Sequence, residues 1–82
     1  MDHEVKKFRS NLGKRIRQER VKQKLDQSEL AAMINKDKQV VNRYEKNGAN
    51  PTVYILAGIA KALKVTIDEL LDFIKLGDDI TR

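Results

Sequence analysis

Three residues, Asn35-Lys36-Asp37, separate two segments of helical periodicity, and this short link constrains the fold more than any other feature. It leaves room only for two short helices joined by a tight turn. The first segment opens on Asp26, with Glu29 three residues later, a capping-box pattern with Asp in place of Ser or Thr. Leu30, Ala31 and Ile34 then share one apolar face. Asn35 stands where a left-handed residue must stop the helix and start the turn. Asp37 suits the N-cap of the second segment, because its carboxylate accepts free backbone N–H groups. Asn47 and Gly48 both tolerate the left-handed backbone that ends it.

The second segment divides cleanly around its axis. At about 100° per residue, with Lys38 at zero, Asn42 lies near 40°, Lys46 near 80°, Gln39 near 100° and Arg43 near 140°. Val40, Tyr44 and Val41 fall at roughly 200°, 240° and 300°, a core-facing stripe on the opposite side. Such a helix is a rigid rod pinned by its apolar side, with polar and cationic side chains aimed outward. That is what reading the major groove of a duplex requires. An enzyme needs converging reactive groups, and this segment has none.

The remaining segments supply a scaffold. Helical spacing of Val5, Phe8, Leu12 and Ile16 predicts a first helix over about residues 5–23. Pro51 fits a helix start and Thr52 can cap a fourth helix, with Val53, Leu56, Ile59, Ala60 and Leu63 on its core face. Thr66 and Glu69 form a capping box for a fifth, followed by Ile67, Leu70, Leu71, Phe73 and Ile74. No strand is needed. The expected fold is all-α, a compact five-helix domain over residues 1–76, with a flexible polar tail at 77–82.

Composition narrows the chemistry. Eighty-two residues make one small domain. There is no Cys, hence no disulfide or thiolate metal site, and the single His stands at position 3. No paired catalytic constellation, Gly-rich phosphate loop or metal-ligand spacing occurs, so neither an enzyme nor a cofactor or metal is expected. No apolar run approaches the length of a membrane span, and a cytoplasmic protein without membrane association is expected. The net charge of +5 is uneven. Residues 1–24 carry nine Lys/Arg against three acids, residues 25–51 four against four, and residues 52–82 four against five. The cationic first third suggests a phosphate-facing surface, although a solvated helix face would have the same composition.

Leu12-Gly13, Ile16, Arg20, Leu25-Asp26-Gln27-Ser28-Glu29-Leu30-Ala31, Tyr44-Glu45, Asn50-Pro51, Ala60-x-x-Leu63 and Leu70 occur in a telling order and spacing. Together they make residues 10–72 resemble the Cro/cI-type (XRE) helix-turn-helix family of phage-repressor-like regulators. The resemblance implies a lambda-repressor-like DNA-binding domain whose helix-turn-helix is formed by helices 2 and 3. Two departures stand out. The family's Gly in the inter-helix turn is Asn35 here, and its Gly after the recognition helix is Asn47; both keep the left-handed requirement. Lys36 replaces an often apolar residue after the turn.

The resemblance and the wheel together assign roles. Lys38, Gln39, Asn42 and Arg43 are the candidates for base edges, since Gln pairs bidentately with adenine and Arg or Lys with guanine. Val40 is equally suited to a thymine methyl or to the core. Lys36 and Lys46 flank the helix and suit phosphates. The family's pattern places Gln27 at the start of helix 2 against a phosphate, where helix-terminal N–H groups favour an anion. Lys14 and Arg17 are phosphate contacts or solvated surface with equal claim. The family pairs an Arg at the position of Arg20 with Glu45, leaving guanidinium donors over for a phosphate. It also implies a homodimer on a palindromic double-stranded operator, with Leu71, Phe73 and Ile74 as the apolar interface. The function expected is sequence-specific regulation of transcription, by repression. The alternatives are an antitoxin that neutralises a protein partner and a restriction-modification controller protein.

Overall fold

The computed structural model describes residues 3–46 and 48–80. Six helices follow one another among them: α1 (His3–Lys22), α2 (Gln27–Met33), α3 (Lys38–Lys46), α4 (Val53–Leu63), α5 (Ile67–Leu70) and α6 (Ile74–Ile80). No strand occurs among the described residues.

The caps written in the sequence define where helices begin. Asp26 Oδ1 accepts from Glu29 N at 2.8 Å and Glu29 Oε1 accepts from Asp26 N at 2.8 Å, the full capping box of α2. Thr66 and Glu69 repeat the device for α5, at 3.0 and 2.8 Å. That backbone N–H from Thr66 holds the Glu69 carboxyl below its ordinary value. Thr52 Oγ1 caps α4 by accepting from Ile55 N. At α3 the Asp37 backbone carbonyl accepts from Val40 and Val41. Asn35 turns left-handed at φ 58°, so the Asn that replaces Gly serves the turn. Gly48 does the same at φ 65°; Asn47 lies outside the described residues. Lys24 and Lys64 are also left-handed, at φ 61° and 62°, without a residue type that announces it.

One core runs through all six helices. Leu12 and Ile16 of α1, Leu30 and Ala31 of α2, Val41 of α3, Leu56, Ile59, Ala60 and Leu63 of α4, and Leu70 of α5 form a single buried cluster. Leu76 of α6 is buried as well. Val53 departs from the expected core: as the first residue of α4 it is 77% exposed. Val5 and Phe8, on the first turns of α1, are exposed as well.

The expected fifth helix is two helices. After Leu70 the chain breaks, and Asp72 Oδ1 accepts from Ile74 N at 3.3 Å to start α6. The carboxylate of Asp72 thus offers the backbone an alternative to continuing α5. The break lets Phe73 meet Phe8 edge to face, with ring centroids 5.2 Å apart, and brings Leu76 into the core. α6 continues past Gly77, where a tail was expected. One Gly inside a helix costs only about 1 kcal/mol, and no Pro follows to stop it. Residues 81–82 lie outside the described residues.

Candidate nucleic-acid interface

α3 is fixed to the body by its inner face. Val41 is 1% exposed and Glu45 is 7% exposed, one turn apart on the helix. Val40 and Tyr44 are half-buried beside them. α1 crosses α3 at Gly13, so closely that a Cβ there would lie 2.4 Å from the Tyr44 carbonyl oxygen and 2.9 Å from that of Glu45. Only a residue without a side chain permits this crossing.

An ion pair closes the contact. Arg20 Nε donates to Glu45 Oε2 at 2.7 Å and Arg20 Nη2 to Glu45 Oε1 at 3.0 Å, a bidentate fork–fork pair. Arg20 Nη1 donates to the Leu25 carbonyl at 2.7 Å, tying the α1–α2 loop into the same cluster. The Arg20 side chain is 10% exposed and that of Glu45 is fully buried. Arg20, expected also to reach a phosphate, is thus directed inward along most of its length.

Two amides extend this pair to the outer face. Gln27 Nε2 donates to Glu45 Oε1 at 3.1 Å, and Asn42 Nδ2 donates to Gln27 Oε1 at 3.3 Å. Sequence reasoning assigned Gln27 to a phosphate and Asn42 to a base, and did not foresee their contact. No signal in the sequence links them: they are fifteen positions apart, on different helices.

The outer face is open. Lys38, Gln39, Asn42 and Arg43 line one concave depression of about 550 Å³. Lys38, Gln39 and Arg43 are exposed and Asn42 is half-buried, so the four candidate base-readers share one accessible surface. Lys36 and Lys46, at either end of α3, are exposed, as are Lys14 and Arg17 on α1. The cationic first third is less of a surface than its composition suggests. Arg15 and Arg20 are both buried, and Arg15 is fully so.

The Arg15 cluster was also unforeseen. Arg15 Nη1 donates to Glu19 Oε2 at 2.9 Å and to Gln18 Oε1, and Arg15 Nη2 donates to the Glu69 carbonyl at 2.6 Å. Gln18 Nε2 donates to the Lys75 carbonyl at 3.3 Å. This face of α1 carries α5 and α6, remote from the depression on α3.

The three residues placed at an expected dimer interface divide. Leu71 and Phe73 pack partly against the chain's own core, whereas Ile74 is 80% exposed. No helix among the described residues is long and apolar enough to cross a membrane.

A helix-turn-helix family model matches residues 16–70. Multiprotein-bridging factor 1 of Candida albicans is 41% identical over 63 residues, covering 77% of this chain and 42% of that protein. An uncharacterized transcriptional regulator in the ATPase CF(0) region of Rhodospirillum rubrum is 36% identical over 69 residues, covering 84% of this chain and 64% of that one. The chain therefore spans well under half the length of the bridging factors it matches. Among solved structures, the restriction-modification controller protein C.AhdI from Aeromonas hydrophila superposes with a TM-score of 0.77 at 26% identity, covering 83% of this chain and 99% of that one.

Proposed function

The chain belongs to the Cro/cI-type (XRE) helix-turn-helix family of DNA-binding regulators, and we propose that it is a sequence-specific repressor that reads the major groove with α3. The observation that carries this reading is the shared depression formed by Lys38, Gln39, Asn42 and Arg43 on the face opposite buried Val41. A helix diameter fits the major groove, and these side chains offer the donors and acceptors that distinguish base pairs there. Lys36, Lys46 and the amino-terminal end of α2 at Gln27 flank that face and suit phosphates. Occupancy of an operator by such a domain obstructs transcription, which favours repression.

A homodimer on a palindromic operator completes the reading, with half-sites about 34 Å apart so that two copies meet successive turns of one groove. Ile74 is its best-placed apolar residue, with Leu71 and Phe73 behind it. One observation favours a specific variety of regulator. The likeness to C.AhdI covers 99% of that chain, which supports a restriction-modification controller as the second reading.

Selection of bound duplexes from a random pool tests the function. A palindromic consensus is expected, and Gln39→Ala or Arg43→Ala is expected to relax one base pair of it by about 1–3 kcal/mol. A pool that returns no consensus, or a consensus unmoved by both variants, rejects base reading by α3.

A further inference from the structure

Asn42 is connected to a buried charge by a one-way chain of hydrogen bonds. Glu45, held by Arg20, can only accept. It therefore draws the Nε2 side of the Gln27 amide towards itself, at 3.1 Å. Gln27 Oε1 is left facing Asn42, and because that oxygen also only accepts, it draws the Nδ2 side of the Asn42 amide, at 3.3 Å. Neither amide can turn over without bringing two oxygens, or two N–H groups, face to face. The direction of the whole chain is set by the one group in it that carries a negative charge.

Asn42 lines the open depression and keeps Oδ1 and its second Nδ2 hydrogen for a ligand. One acceptor beside one donor matches adenine, which offers its N6 hydrogen and N7 in the major groove. The order of the two groups matters. An A·T pair and a T·A pair present them in opposite order across the groove, so an amide that cannot flip fits one of them and opposes the other.

We propose that Gln27 is a specificity-determining positioning residue: by fixing the Asn42 amide it makes Asn42 distinguish A·T from T·A at one base pair of the bound duplex. The proposal rests on the groove reading by α3 given above. It changes the role of Gln27, which acts through Asn42 whether or not its helix end also meets a phosphate.

The test uses the duplex selected from a random pool by the unaltered protein. The base pair that responds to Asn42→Ala is located first, and the four possible pairs are placed there. The unaltered protein is expected to prefer one orientation of the adenine–thymine pair over the other by about tenfold. Gln27→Met, which keeps the length of the side chain and removes its amide, is expected to bring that ratio close to one while preferences at the other positions persist. If Gln27→Met weakens binding to all four duplexes equally and the ratio stays, Gln27 is only structural and the proposal is overturned. If Asn42→Ala alters no base preference, the groove reading at Asn42 is itself wrong and the proposal falls with it, an outcome distinct from the former. Should Gln27→Met fail to fold, Gln27→Ala carries the same test. It also removes the amide between Glu45 and Asn42 while leaving the Arg20–Glu45 pair in place, and the ratio is expected to collapse in the same way. A ratio retained in Gln27→Ala overturns the proposal equally.

Discussion

α1 holds two groups of helices by two different kinds of contact. Toward α3 it presents Gly13, which lets the backbones touch, and Arg20, whose guanidinium forks onto Glu45. Toward α5 and α6 it presents Arg15 and Gln18, whose donors end on the backbone carbonyls of Glu69 and Lys75. In the Arg20–Glu45 pair of the first contact both partners are specified by residue identity. In the second only one is, because any residue can supply a carbonyl. α3 is therefore positioned by chemistry that a single substitution can abolish from either side. The C-terminal helices are positioned by chemistry that tolerates substitution at the acceptor.

The largest expected effect is that of Glu45→Ala. It leaves the Arg20 charge buried without its counter-ion, at a cost of about 3–5 kcal/mol. Urea unfolding measures it. A double-mutant cycle with Arg20→Ala should show coupling above about 1 kcal/mol, and additive losses would reduce the pair to two independent charges. Gly13→Ala comes next, at about 3 kcal/mol, because the carbonyls it meets belong to a helix backbone that cannot turn aside. Thermal unfolding of the variant within about 2 °C of the parent would mean the crossing is looser than the structure has it.

Arg15→Met separates the two contacts. It leaves Glu19 with Lys22 at 3.4 Å and replaces a buried guanidinium by apolar volume, so a loss of about 1–2 kcal/mol is expected. Hydrogen exchange should quicken in α5 and α6 and leave α3 unchanged. Equal quickening in α3 would show that the two contacts are one. The smallest effect is that of acid at α5. Glu69 titrates below its ordinary value in the folded chain, so its contribution is present above about pH 4.5 and is lost as pH falls through the lowered value. Glu69→Gln removes the carboxylate that accepts from the Thr66 backbone N–H and keeps the shape of that capping box. The difference in melting temperature between Glu69→Gln and the parent should narrow as pH falls below about 4.5, and a difference constant with pH would argue against the linkage.

The same distinction explains what could be read from the sequence. Helix starts at Asp26, Thr52 and Thr66 were legible because a cap is a local bargain between residues three apart. The facing of α3 was legible because its apolar and polar residues segregate around one axis. The Arg15 cluster was not, since a carbonyl acceptor leaves no mark on residue type. The left-handed turns at Lys24 and Lys64 were not, because each closes a helix end by backbone hydrogen bonds, Leu25 N to the Arg20 carbonyl and Val65 N to that of Ala60, at a residue type that does not announce it. The split between α5 and α6 hung on Asp72, one of several acids in that region and distinguishable only by its bond to Ile74. The link from Gln27 to Asn42 needed two helices to be placed before it existed.

α3 hangs from the body by two hooks, Val41 and Glu45, and the other seven of its nine positions are less than fully enclosed. A mount of this kind separates grip from message. On the groove reading proposed above, the outward letters can be rewritten one at a time while the clasp that seats the rod stays as it was. New targets would then be reached without passing through an unfolded ancestor. Asn42, whose amide donates to Gln27 at 3.3 Å, would be the exception, a letter to be changed in pairs.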